Sequence, residues 1–550
     1  MLLFDRILAA RGLNGKSKAA FLLPDYSDTS DPFLLNDMDK AVKRIVIARE
    51  KQEKIVIYGD YDIDGLTAAT LLYDALGSFG FKYVEIFIPN RFEEGYGLTV
   101  DAIDKIASGG TNLIITVDCG STSIKEIIRA GEQNVDVIVT DHHNISKKLP
   151  LAFAVINPKR LDNKYPFVEL AGVGVAFKLV QALQIKFNGN PSTGSGLPFG
   201  QEKWLLDLVA LGTVCDIVPM VDENRTNVYW GLKVLAQTKR PGLKALMAIA
   251  GIDPKNINAR SIGFGLGPRM NAAGRLETAQ HALEMLVATD PMLALAKAEY
   301  LDSLNKSRRI EQDKIYKDAI IQAEKYATDH VLVVSNADWN HGVVGIVASK
   351  LLEKYKKPTF VLQEIGNESK GSARSYGDFS AIDAINSVQD LINKGGGHKF
   401  AAGVTMPTKN IAKFRKRVND YYRQQKLGDQ KSLLLPKADA LAELSEITEE
   451  LVELIAGLEP FGIGNPQPII KTDNLKVVGV RKMGADSQHV KLDLQDNTGI
   501  KMQFLAFNAP NEYFAEIGTE ISVWFHPNIN EWRGRRTVEG QLAHIEVHKK

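Results

Sequence analysis

The chain has 550 residues, of which 45% are hydrophobic and 24% charged, with 67 Lys plus Arg against 66 Asp plus Glu. That length exceeds a single core and implies about two to four domains, whereas the near-zero net charge excludes nothing, since a basic groove and an acidic metal site would cancel. The only cysteines, Cys119 and Cys215, form no CxxC pair, and the start MLLFDRILAARGL has no long apolar run; no disulfide framework, structural zinc site, leader or membrane span is expected, and a soluble cytoplasmic protein is.

From Lys54 onward, β-branched runs alternate with helix-patterned stretches. KIVIYGD (54–60), YVEIFIP (83–89), NLIITVD (112–118), VDVIVTD (135–141) and AFAVINP (152–158) read as strands buried on both faces of a parallel sheet. TAATLLYDALGSFG and STSIKEIIRAGEQN lie between them as helices, so a doubly wound α/β domain is expected. NGNPSTGSGLPFG (188–200) reads as a surface excursion. Residues from about Pro291 to Ala327 contain no Gly and no internal Pro, and their apolar positions are spaced by three or four, which predicts one long helix joining two lobes. VLVVSNADWN restarts a second α/β unit that runs to about Gln425, followed by the linker-like RQQKLGDQKS. LKVVGVRK, HVKLDLQD, IKMQFLAFN, EISVWFHP and TVEGQLAHIEVH then read as five short antiparallel strands of an oligonucleotide-binding barrel.

The ends of the first strands carry the chemistry. GDYDIDG supplies Asp60, Asp62 and Asp64, VDCG supplies Asp118, TDHHN supplies Asp141, His142 and His143, and LGTVCDIVP supplies Asp216. Ligands of open α/β sheets bind beyond the carboxyl ends of the strands. One strand-end Asp is ordinarily a cap or turn residue, but clusters after three strands of one sheet point to a site. In an extended segment Asp60, Asp62 and Asp64 would share one side and repel unless cations neutralise them. Oxygen ligands with a histidine suit Mn²⁺ or Mg²⁺, and two such ions sharing a carboxylate suit water attack on a phosphodiester. Alternation would aim Cys119 and Cys215 away as packing residues.

These motifs, with GPRMNAAGRL (267–276), GVVGIVASKL (342–351), GSARS (371–375), GGGHKFAAG (395–403) and EPFGIGNPQP (459–468), occur in the order found in the DHH phosphoesterase family. The chain resembles the family's bacterial single-strand exonucleases from about residue 54 to the C-terminus. The resemblance implies a 5′→3′ exonuclease on single-stranded DNA that depends on two Mn²⁺ or Mg²⁺ ions and acts in recombination and repair. It implies a single-strand-binding protein and a recombination helicase as partners; beside it, no membrane association and a monomer are expected. The implied division is a catalytic domain over 1–290, the helix over 291–328, a DHH-associated domain over 329–425 facing the first across a groove, a linker over 426–458 and the barrel over 459–550. Carried over, the ligands are Asp62, Asp64, Asp118, His142 and Asp216, with Asp118 as the bridge, while Asp60 either ligates or supports. His143 would contact the scissile phosphate and Asp141 orient a histidine; Tyr58 stands where relatives acting on small substrates carry a further histidine.

On the substrate side, Ser372 and Arg374 of GSARS share one side of an extended segment and suit a terminal phosphate. Gly396 and its neighbours would bring backbone amides to an anion at a helix start, with His398 beside them facing the groove. Asn271 and Arg275 are candidate phosphate contacts, and Arg91 is either another or a partner of Glu93 or Glu94. Tyr513, Phe514, Trp524 and Trp532 lie among Arg533, Arg535 and Arg536, where some aromatics stack on bases and others fill the barrel. The alternatives are a family enzyme acting on short oligonucleotides, phosphoadenosine nucleotides or cyclic dinucleotides, against which the barrel argues, and a non-catalytic scaffold, against which the filled ligand positions argue.

Overall fold

The computed structural model describes residues 2–92, 97–146, 148–188, 200–428, 431–485 and 487–548. β1 (Ile55–Gly59), β2 (Val84–Phe87), β3 (Leu113–Val117), β4 (Asp136–Thr140) and β5 (Ala154–Ile156) form a parallel sheet ordered β2-β1-β3-β4-β5. Alternate residues serve opposite faces. Ile55, Ile57, Leu113, Ile115 and Val117 pack in a core with the helices Ile63–Ser78 and Gly172–Asn188. Val56, Tyr58, Ile114, Val137 and Val139 pack in a second core with the helices Val100–Ser108 and Ile124–Glu132. Burial on both faces is why these strands read as unbroken apolar runs. Because β1 is flanked by β2 on one side and β3 on the other, the topological switch lies between β1 and β3, and a crevice opens there at the strands' carboxyl ends. The stretch expected as a surface excursion lies, over 189–199, outside the described residues.

One unbroken helix, Pro291–Lys325, starts with Asp290 accepting from the amides of Met292 and Leu293. Ala298, Leu301 and Leu304 join the first lobe's core, and Ile315, Ala319 and Ala323 join that of the second. At 1.5 Å per residue the helix is about 50 Å long. The second lobe holds β6 (Leu332–Asn336), β7 (Thr359–Ile365), β8 (Glu368–Arg374), β9 (Lys394–Gly397) and β10 (Ala401–Pro407), ordered β6-β7-β8-β10-β9. Only β6 and β7 run parallel, through the crossover helix His341–Tyr355. The expected helix start after the glycines is not there: Gly395, Gly396 and Gly397 belong to the edge strand β9, paired with Val404, Gly403 and Ala402. Glycine is needed for this close hairpin, since a Cβ on Gly397 (φ +140) would lie 2.4 Å from the Ala401 carbonyl oxygen.

The C-terminal sheet consists of β11 (Ala440–Leu441), β12 (Ile470–Met483), β13 (His489–Gln495), β14 (Lys501–Ala506), β15 (Glu520–Trp532) and β16 (Arg535–Val547). It closes into a barrel through β12 and β15. The strands are not all antiparallel as expected: β14 pairs parallel with β16, and β11 adds parallel to β12. The helix Leu3–Ala10 buries Leu3, Phe4, Ile7 and Leu8 in the barrel's core, so the two ends of the chain pack together. No helix among the described residues is long and apolar enough to cross a membrane.

Candidate functional site

The strand-end motifs meet at the switch point, but not through an extended segment. Asp60 follows β1, Asp62 caps the helix Ile63–Ser78 by accepting from the Gly65 amide (3.1 Å), and Asp64 lies in its first turn. The turn of the helix, rather than strand alternation, gathers the three carboxylates. It packs this tightly because a Cβ on Gly65 would stand 2.5 Å from the Asp60 carbonyl oxygen. Asp118 leaves β3 in the left-handed region (φ 60), a conformation Asp tolerates better than most residues. Asp216 caps the helix Leu206–Cys215, and the next residue, Ile217, is also left-handed (φ 62), which is a strained state for a β-branched side chain.

Three donor sets result, each with atoms within 4.8 Å of one another: Asp60–Asp62–Asp118, Asp64–His142–Asp216 and Asp118–His142–His143. His142 Nε2 stands 3.1 Å from Asp118 Oδ1, 3.5 Å from Asp216 Oδ2 and 3.8 Å from Asp64 Oδ2. Asp64 also accepts from the amides of Gly172 (2.6 Å) and Val173 (2.8 Å) at a helix N-terminus. Asp141 does not face this cluster as a free donor. Its Oδ1 accepts from the His142 and His143 amides and lies 2.9 Å from His143 Nδ1, while Oδ2 accepts from the Ser121 amide. Tyr58 is buried in the sheet with its hydroxyl donating to the Gly97 carbonyl, so position 58 offers no ligand.

The electrostatics call for cations. Among the described residues Asp60 Oδ1 is buried without a hydrogen-bond partner, and Asp118 Oδ1 and His142 Nε2, though 3.1 Å apart, are not aligned as a hydrogen bond. Burial, then the neighbouring Asp62, pushes Asp64 up to about 7, and burial with Asp64 and Asp62 pushes Asp216 up to about 9. Burial and crowding likewise hold Asp60 and Asp118 well above the usual carboxylate range. Burial, then His143, depresses His142 to about 3, leaving a neutral imidazole. For His143, burial is outweighed by the bond to Asp141, and its affinity for a proton rises. Buried orphan oxygens and a neutral imidazole in one cluster fit one or two hard divalent cations.

Cysteine is not part of this cluster. Cys119 is buried on the opposite face of the sheet, whereas Cys215 ends a helix beside the site, so strand alternation does not apply to it. Burial pushes both thiols up, which keeps them protonated.

Across the crevice stands a cationic set. The guanidinium of Arg91 lies over the Tyr61 ring (5.1 Å), Arg275 donates to the Gly342 carbonyl (3.0 Å), and Arg374 donates to the Ala373 carbonyl (2.8 Å). Among the described residues none of the three has a carboxylate within ion-pair distance; Glu93 and Glu94, the other reading for Arg91, lie outside them. Burial, then Arg91, Arg308 and Arg374, depresses Arg275 to about 10. Ser372 and Arg374 face the crossover helix, where a Cβ on Gly345 would come 3.3 Å from both. Gly396 lies two strands from Ser372 through Gly403, about 10 Å by strand spacing, and His398 is exposed at the hairpin tip.

A cavity of about 870 Å³ extends from Asn271 and Arg275 to Phe507, Asn528 and Gln541 of the barrel region. Exposed Phe264, Ile217 and Phe507 line it, and the sequence reading singled out none of them as contacts. Phe264 projects from a π-helical turn, Ile262–Leu266, a local departure from helix regularity that often marks functional sites. Of the barrel aromatics, Tyr513 and Phe514 pack into the core, Trp524 lies against His544 under Lys471, and Trp532 is 70% exposed. Arg536 is paired with Glu449 and Glu453, while Arg533 and Arg535 are exposed.

Residues 54–213 match the DHH family N-terminal domain, 328–424 the DHHA1 domain and 438–544 the RecJ OB domain. The chain is 37% identical over 535 residues to the single-stranded-DNA-specific exonuclease RecJ of Bacillus subtilis, covering 96% of the chain and 66% of that protein. It is 32% identical to the RecJ of Haemophilus influenzae over 99% of the chain and 96% of that protein. The crystal structure of RecJ with Mn²⁺ from Thermus thermophilus superposes with a TM-score of 0.80 at 28% identity, covering 100% of the chain and 78% of that one.

Proposed function

Since the chain belongs to the RecJ family of DHH-domain proteins, we propose that it hydrolyses single-stranded DNA from the 5′ end with two Mn²⁺ or Mg²⁺ ions. The observation that carries this reading is the juxtaposition, at one switch point, of a buried acidic cluster and an arginine set that has no carboxylate at ion-pair distance among the described residues.

Asp62, Asp64, Asp118, His142 and Asp216 would hold the ions, with Asp118 shared and Asp60 bound or supporting. Bound there, the ions supply the lowered pKa of an attacking water and neutralise charge on the phosphate and leaving oxygen. His143, held at Nδ1 by Asp141, presents its ring to the scissile phosphate and favours its protonated form, which opposes the developing negative charge. Asn271, Arg275 and Arg91 hold the phosphates next to it. Ser372 and Arg374 receive the terminal phosphate by bidentate and hydroxyl contacts, which sets the 5′ polarity. Gly396 and His398 border the approach to that pocket, and exposed Trp532, Arg533 and Arg535 add sequence-tolerant holding.

The division at 290, 328, 425 and 458, a monomeric state, cytoplasmic action in recombination and repair, and help from a single-strand-binding protein and a helicase belong to the same reading. The test is the product pattern from 5′- and 3′-labelled single strands with and without Mn²⁺. Mononucleotides released progressively from the 5′ label are expected; brisk cleavage of dinucleotides with long strands untouched would favour the short-substrate alternative.

A further inference from the structure

Along the buried face of the connecting helix Pro291–Lys325 one stripe follows a spacing of three and four, Ala294, Ala298, Leu301, Asn305, Arg308, Gln312, Ile315, Ala319 and Ala323, flanked by buried Leu304 and by Asp302, which is taken up by Arg269 and Lys306. Such a stripe is ordinarily apolar throughout. Here its three central positions are an amide, a guanidinium and an amide, all buried. Arg308 donates to Asn305 Oδ1 (3.0 Å) and Gln312 Oε1 (3.2 Å), while its Nε has no partner.

The other buried arginines show how this chain normally satisfies such a group. Among the described residues three arginines are buried, Arg44, Arg225 and Arg308. Arg44 pairs with Glu53 and Asp136, both at 2.6 Å. Arg225 is enclosed by the carbonyl oxygens of Phe21, Leu458 and Pro460. Among the described residues Arg308 has no carboxylate and no backbone carbonyl within hydrogen-bond distance, only the two side-chain amide oxygens of its own helix; Asp313 acts on it from further off, and burial outweighs that and depresses its hold on its proton. Burying a cation without a counter-charge is costly unless a ligand supplies one. Arg308 lines the cavity that runs from Asn271 and Arg275 to Phe507 of the barrel region, whereas Arg374 is not in that wall.

We propose that Arg308, braced by Asn305 and Gln312, binds an internal backbone phosphate of the single strand, in a subsite separate from the terminal-phosphate pocket at Ser372 and Arg374. Arg308 and Arg275 both line the cavity that reaches the barrel region, whereas Ser372 and Arg374 do not, so the phosphate assigned to Arg308 is on the part of the strand still to be degraded. The two amides hold the guanidinium plane in place before the strand arrives, which reduces the ordering cost of binding. This inference rests on the exonuclease reading.

The test measures binding of a 5′-phosphorylated oligothymidylate to the full chain in EDTA, with single linkages replaced in turn by neutral methylphosphonates. In the wild-type chain, neutralising one particular internal linkage is expected to weaken binding, and in Arg308→Met the same replacement should have no further effect. The salt slope of Arg308→Met should be shallower by ~0.7, so a fourfold rise in salt weakens it about 2.6-fold less than wild type. Arg308→Lys keeps the charge and should keep the slope. A merely structural arginine would lower the melting temperature and leave both the slope and the linkage effect intact, and that result overturns the proposal. Should Arg308→Met not fold, Arg308→Gln is scanned in its place: loss of one linkage's effect supports the proposal, and a linkage pattern and salt slope unchanged from wild type overturn it. Failure of the exonuclease reading looks different, because the wild-type chain would then neither bind nor degrade the unmodified strand.

Discussion

Gly172 gives the sharpest test of the metal centre because it touches the proposed bridging carboxylate without being a ligand. It opens the helix Gly172–Asn188, and its amide donates to Asp64 Oδ2 at 2.6 Å. A Cβ at this position would stand 2.6 Å from Asp118 Oδ1, 2.7 Å from Asp118 Cβ and 2.8 Å from Asp118 Cγ. Ordinary contact begins near 3.5 Å, so the carboxylate must retreat by about 1 Å. Asp118 is in the left-handed region at the end of a buried strand and has little freedom to do so. A displacement of ~1 Å at a reacting centre costs about 10²-fold in rate, while overpacking costs about 1–3 kcal/mol of stability. Gly172→Ala should therefore fold, lose about 10²-fold in kcat/KM on 5′-labelled single strands, and lose most of the rise in melting temperature that Mn²⁺ produces. Gly174→Ala is the control, since its Cβ meets only Leu170, at 3.5 Å and 3.6 Å, and activity should stay within about threefold of wild type. Wild-type kcat/KM in Gly172→Ala would refute the assignment of Asp118 to the reacting centre.

Asp118→Asn should reduce Mn²⁺-dependent degradation by about 10³-fold or more, as measured by acid-soluble release from labelled strands; unchanged release would place the chemistry elsewhere. Arg374→Ala should reduce the preference for a 5′-phosphate over a 5′-hydroxyl by about tenfold to a hundredfold, and an equal loss on both substrates would remove it from the terminal pocket. The pH dependence of the metal-free protein has a definite sign. Asp64 and Asp216 titrate near 7 and 9 in the folded chain against 3.8 otherwise, so the folded state binds more protons over that interval. Stability in EDTA should fall as pH rises from about 4 to 9, and the Mn²⁺-induced rise in melting temperature should grow over the same window. A melting temperature that climbs from pH 5 to pH 8 in EDTA would contradict the crowding of these carboxylates.

The parallel sheet was legible because strands buried on both faces must be apolar at every position, as IVIYG and LIITV are. The connecting helix was legible because nothing in its 35 residues interrupts the spacing. What escaped depends on pairings between distant segments. Asp60, Asp62 and Asp64 were read as extended because the sequence does not mark where a strand turns into a helix; Asp62 is a cap, which is the commoner fate of a strand-end Asp. Three glycines suggested a helix start, but their partners on β10 made them an edge strand. In the first residues, Leu3, Phe4, Ile7 and Leu8 fall on one helix face, but the cover for that face is the barrel more than 430 residues away, which local spacing does not reveal. The sequence identified the residue types of the cation set, but only the fold shows that Arg275 has Arg91, Arg308 and Arg374 as neighbours instead of carboxylates.

Although the chain's net charge is only +1, acidic groups and arginines stand in one crevice without forming ion pairs with each other among the described residues. Asp60 feels Arg91 across the gap, yet burial and Asp62 dominate its environment, so the two sides face each other without neutralising each other. Closing them into ion pairs would stabilise the empty protein and remove the reason for either ligand to bind. Left open, the acidic side would be satisfied by divalent cations and the arginines by phosphates under the proposed function. A phosphodiester is the ligand that meets both at once, since its oxygens can face cations and guanidiniums together. Cations and strand must then favour each other's binding reciprocally, because each relieves repulsion that the other would otherwise meet. The cluster's buried carboxylate oxygens and the Nε of Arg308, without a hydrogen-bond partner among the described residues, are features of the same kind, each costly in the empty chain and each placed where the cations or the strand would satisfy it.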